Sequence, residues 1–148
     1  PHMVDTFIDQ CSDPAKSIYY GVVPRGLMEG RFPESRRSYV HLTDGDVAGA
    51  DVSVIDPRIV HTKRALWDDL IGHRKNAIRQ ARIIGLGVMI ALVLRRLSLA
   101  DAERRVTRSM GISGRAVVVR HAELGMDVDK PFQLEVCRRE LSSQRGQR

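Results

Sequence analysis

Aromatic residues are scarce in this chain: three Phe, three Tyr and one Trp among 148 residues. That excludes a core built on stacked rings and a row of aromatic platforms for single-stranded bases, so the interior must rest on Val, Ile, Leu, Ala and Met. Cysteine is scarcer still, with only Cys11 and Cys137, far apart and without a second pair at metal-ligand spacing. A disulfide framework and a thiolate zinc site are thereby excluded, and two reduced cysteines with packing roles fit a cytoplasmic or nuclear, reducing compartment. Long hydrophobic runs are missing too. The longest charge-free apolar stretch, Ile83 to Leu94, has twelve residues and would span about 18 Å as a helix, short of the roughly 20 residues that cross a bilayer. No transmembrane segment is expected, and Val4 to Cys11 lacks the basic and apolar regions of a signal peptide.

Familiar catalytic signatures are also absent. There is no G-x-S-x-G, and Gly85-Leu86-Gly87 lacks the third glycine of a dinucleotide loop. The histidines His41, His61, His73 and His121 show neither H-x-H nor H-E-x-x-H spacing. Asp68 and Asp69 beside His73 imitate an acid-base set, but adjacent helical residues point about 100° apart, and such carboxylates usually serve as ion-pair partners. On these grounds the sequence predicts no enzyme, no cofactor and no metal site.

What is present is an ordinary globular balance of 43% hydrophobic and 28% charged residues, at a length that supports one core without staples. Pro1, His2 and Met3 read as a cloning remnant, residues 4–140 as a single basic domain and 141–148 as a frayed polar tail. The net charge of +6 is unevenly placed: residues 1–57 carry −4, 58–120 carry +10, and 121–148 balance to zero. Twenty of the 24 cations are arginine, whose planar donor fork grips phosphate in pairs of hydrogen bonds, although a GC-rich genome would enrich arginine with no such purpose.

Local patterns predict an α+β fold. Residues 4–16 read as a loose lead-in, and Ser17 to Val23 as a strand stopped by Pro24. Arg25 to Arg37, punctuated by Gly26, Gly30 and Pro33, reads as a loop. Tyr39 to Leu42 and Asp51 to Ile55 read as strands joined through a turn at Thr43-Asp44-Gly45-Asp46, making an N-terminal β element over about 17–56. From Thr62 the spacing of Leu66, Trp67, Leu70, Ile71, Ala77, Ile78 and Ala81 is helical. Central helices over about 62–97 and 98–110 follow, with Ile83 to Leu94 as a buried apolar helix and Gly85 and Gly87 marking close packing or a break. Ser98 with Asp101 three residues on is a capping-box start, and Gly111 ends that helix. Val117-Val118-Val119 and the alternation of Phe132 to Val136 predict a C-terminal β-hairpin over about 115–138. A helix-turn-helix over Glu103 to Ala122 matches at Val106, Met110, Gly111, Ile112 and Val117. Thr107, Arg120 and the β-branched triplet favour helix, turn and strand instead.

Charge placement supports three function classes. The first is a nucleic-acid-binding protein, for DNA or RNA, gripping the phosphate backbone through Arg74, Lys75, Arg79, Arg82, Arg95, Arg96, Arg104, Arg105, Arg108, Arg115 and Arg120. The second is a self-associating viral or phage assembly protein of matrix or coat type, a homo-oligomer whose basic face meets genome or an anionic membrane surface. The third is an adaptor for an acidic protein partner.

Overall fold

The computed structural model describes residues 2–72 and 85–145. Its centre is one sheet of four strands, β1 (Ile18–Pro24), β2 (Val40–Leu42), β3 (Gly45–Ile55) and β4 (Gly114–Val118), in the order β2-β3-β1-β4. β1 runs antiparallel to β3 and parallel to β4. With seven helices among the described residues, α1 (His2–Asp9), α2 (Arg25–Arg31), α3 (Pro57–Thr62), α4 (Arg64–Gly72), α5 (Leu86–Val93), α6 (Leu99–Met110) and α7 (Pro131–Arg145), the fold is α+β.

β3 shows why the sheet has two unlike faces. Its residues alternate, placing Ala48, Ala50, Val52 and Val54 against Phe7, Tyr19, Val23, Met28, Phe32 and Val117, while Asp51, Ser53 and Ile55 look outward. A second, smaller core joins Leu42 and Val47 to Val88, Ala91, Leu92, Leu97 and Leu99, so α5 and the start of α6 close the β2 corner of the sheet. Gly125 packs so tightly that a Cβ there would fall 2.6 Å from Val23 Cγ1. The ladder between β1 and β3 shifts register between Tyr20 and Val22, and at that irregularity Arg37 Nη2 donates to the carbonyl of Gly49 at 2.8 Å.

β4 is an edge strand, and α6 covers it with side chains. The amide of Gly114 donates to Thr107 Oγ1 at 3.3 Å and that of Ala116 to Glu103 Oε1 at 2.7 Å. The two acceptors lie one helical turn apart, so they meet alternate amides of the strand. Thr107, out of place in a helix-turn-helix, belongs to this edge. Helix α6 begins as its sequence predicts: Ser98 Oγ accepts from the Asp101 amide, and Gly111 closes it in a left-handed conformation, φ 61.

Several expectations are corrected. Residues 2–9 form a helix, because Phe7 anchors it in the core. Arg25–Arg31 is helical despite Gly26 and Gly30, since Met28 and Phe32 are buried and Arg25 pairs with Glu29 one turn on. The hairpin predicted over 115–138 is absent: β4 pairs with β1, and Phe132 to Val136 lies within α7. There Gln133 Oε1 accepts from the amides of Asp129 and Lys130, a backward cap behind Pro131 that overrides the alternating pattern. The helix continues to Arg145. The apolar helix is not buried, for α5 keeps only Val88 inside and exposes Leu86, Ile90 and Val93. Gly85 precedes the helix with φ 104.

Candidate functional site

The parallel pairing of β1 and β4 brings their carboxyl ends to the same rim of the sheet, where α2 starts at Arg25 and the β2–β3 hairpin turns. The hairpin register sets His41 directly opposite Asp46. Their side chains meet, His41 Nδ1 lying 2.8 Å from Asp46 Oδ1. An ionised carboxylate only accepts, so Nδ1 carries the proton in this contact and Nε2 is the ring nitrogen turned away from Asp46. Asp46 is held below the usual carboxylate range, first by the hydrogen bond from His41 and then by Arg25.

Arg25 joins the group from α2. Its Nε donates to Glu29 Oε1 at 2.9 Å, its Nη1 to Asp46 Oδ2 at 3.3 Å, and its guanidinium lies 5.4 Å from the centre of the Tyr39 ring. The hydroxyl of Tyr39 is buried without a hydrogen-bond partner among the described residues. Burial, followed by the charge of Glu29, pushes the phenol up and keeps it a neutral donor, while Arg25 and Arg37 pull the other way. His41 and Arg25 thus meet on one carboxylate at the rim, with the Tyr39 ring against the guanidinium.

Close by, Arg37 lies 3.7 Å from Asp127 and 4.0 Å from Asp51. Asp51 is pushed up by burial and by Asp127 and Asp129, with Arg37 opposing. Among the described residues no group of three His, Cys, Asp or Glu side chains is arranged to hold a metal. Two shallow cavities lie elsewhere. One, of about 330 Å³, is lined by Cys11, Lys16, Tyr19 and Asp56. Cys11 donates to the Phe7 carbonyl at 3.2 Å and its thiol is pushed up by burial. The other, of about 360 Å³, is lined by Arg31, Arg139 and Glu140, where Arg31 is tied to Glu123 and Glu140.

Of the eleven cations singled out in the sequence, seven lie among the described residues. Arg74, Lys75, Arg79 and Arg82 lie outside the described residues. Arg95 and Arg96 follow α5, Arg104, Arg105 and Arg108 sit on α6, Arg115 is in β4 and Arg120 follows it, and all seven are exposed. Arg104 is paired with Asp101. His61 is exposed on α3, and His121 meets the edge of His2 at 5.1 Å. The rim cluster escaped sequence reasoning, yet one signal was present: a two-residue turn at Thr43-Asp44 would by itself put His41 across from Asp46.

No family model and no curated protein matches this sequence. Among solved structures, it is similar to a chain described as a hypothetical transferase structure from Thermus thermophilus, with a TM-score of 0.79 and 31% identity over 88% of this chain. The match covers 56% of that chain, so this protein spans little more than half its length. The likeness overturns the expectation that no enzyme is present.

Proposed function

We propose that this chain is one domain of a group-transfer enzyme whose reacting groups meet at the rim formed by Arg25, Tyr39, His41 and Asp46. The class is supported by the likeness to a transferase. The site rests on one observation, the imidazole of His41 and the guanidinium of Arg25 held on the same carboxylate.

Transfer to a hydroxyl or amine acceptor requires that the acceptor lose a proton as the new bond forms. With Nδ1 bound to Asp46, His41 Nε2 is the atom that takes it, and Asp46 stabilises the imidazolium that results. Arg25 offsets negative charge on the donor.

The test incubates the protein with a nucleoside triphosphate, an acyl thioester and a sulfonium methyl donor. Each meets a panel of hydroxyl and amine acceptors, with products read by mass spectrometry. Short DNA and RNA duplexes belong among the acceptors, because Arg105, Arg108, Arg115 and Arg120 are exposed and have no carboxylate partner among the described residues. Transfer from one donor class is expected, falling about 10²–10⁴-fold in His41→Gln and by less in Asp46→Asn. A His41→Gln variant as active as the parent would remove the rim from the chemistry, and no transfer from any class would remove the transferase reading.

A further inference from the structure

Helix α5 turns Val88, Ala91 and Leu92 toward Leu42, Val47 and Leu97. Its other side carries Leu86, Ile90, Val93 and the following Leu94, at 66%, 52%, 79% and 54% exposure. These positions follow i, i+4, i+7 and i+8, a continuous apolar stripe in water. From Gly85 to Ala100 the sequence has no carboxylate, and its only charges are Arg95 and Arg96, both exposed.

Arg95 has a second peculiarity. The amide of Arg96 donates to the Ala91 carbonyl at 2.8 Å and that of Arg95 to Leu92 at 2.9 Å, so α5 ends in the paired bonds of a Schellman motif. Arg95 takes the left-handed position that glycine normally fills, φ 53. The other left-handed arginine, Arg36, lies 5.3 Å from the Phe132 ring centre. Arg95 has neither a ring nor a carboxylate against it among the described residues. A strained, unpaired cation thus stands at the end of an unpartnered apolar stripe.

We propose that this face docks on an anionic lipid surface, with Leu86, Ile90, Val93 and Leu94 entering the acyl boundary and Arg95 and Arg96 meeting the headgroups. Charge complementarity selects this occupant. A second copy meeting it face to face would bring the same arginines, with no carboxylate between Gly85 and Ala100 to pair them, and a bare polyanion would leave the stripe in water. A stripe of four side chains and two cations gives reversible, salt-sensitive binding.

The test is co-sedimentation of the whole chain with phosphatidylcholine vesicles, with and without about a third phosphatidylserine, with oligomeric state followed by light scattering. Binding is expected to the mixed vesicles, weakened by salt, and lost in Ile90→Asp/Val93→Asp. Arg95→Gln/Arg96→Gln should weaken it about 25-fold, roughly fivefold for each charge. Circular dichroism checks the fold of each variant, and Val93→Asp alone serves where the double variant does not fold. The proposal is overturned by absence of binding, by equal binding to neutral vesicles, by binding that ignores the aspartates, or by a dimer that the aspartates dissociate.

Discussion

Two residues in left-handed backbone end neighbouring helices with different consequences. Gly111 adopts φ 61 at no steric expense, whereas Arg95 adopts φ 53 with a Cβ that crowds the following carbonyl. Arg95→Gly is therefore expected to stabilise the fold by about 1 kcal/mol, read as a higher denaturant midpoint at unchanged slope. A lower midpoint would show that the arginine makes a compensating contact. Single residues of this kind were partly legible. Ser98, Asp101 and Gly111 carry their roles in their identity, because a cap needs only local geometry. Tyr39 does not, since its surroundings depend on Arg25 and Glu29 arriving from α2.

At the scale of elements, local pattern fails where tertiary contact decides. Phe132 to Val136 alternates as a strand would, but Pro131 and the backward bond of Gln133 start a helix there. Arg25–Arg31 contains two glycines and is helical because it lids the core through Met28. The union of α6 with β4 was equally hidden, although both elements were foreseen separately. Glu103→Ala should destabilise the protein by about 1–2 kcal/mol by freeing the Ala116 amide. It should also promote association through the exposed strand edge, measured by thermal melting and by scattering at rising concentration. An unchanged melt would show that water replaces Glu103 at no loss.

For the whole molecule, the carboxylates divide by sign. Asp46, Asp56 and Asp101 are held below the ordinary carboxyl range, mainly by hydrogen bonds from His41, Arg58 and Ser98 respectively. Their stabilisation is fully present above the unfolded value, about 3.9, and disappears as pH falls through the lowered folded values. Asp51 is pushed up, chiefly by burial. Its contribution favours the fold below the unfolded value and is lost as pH rises through the raised one. Asp51→Asn is thus expected to raise Tm slightly at pH 7, solvent screening the half-exposed carboxylate, and to make no difference near pH 3. A gain that persists in acid would point to packing rather than charge. The α+β class was legible from strand and helix periods, and the arginine count was plain. Of the rim, the His41–Asp46 pair follows from a local hairpin turn, whereas the approach of Arg25 depends on strand order.

That strand order also imposes a schedule. Ile18 pairs with Gly114, about 96 residues later, so β1 must leave the ribosome and wait before its parallel neighbour exists. At roughly 5–20 residues per second the delay is about 5–20 s, long beside the microseconds in which a β-hairpin closes. During that interval the side of β1 reserved for β4 is an open template. The nascent chain is then most exposed to wrong partners, and most dependent on chaperones.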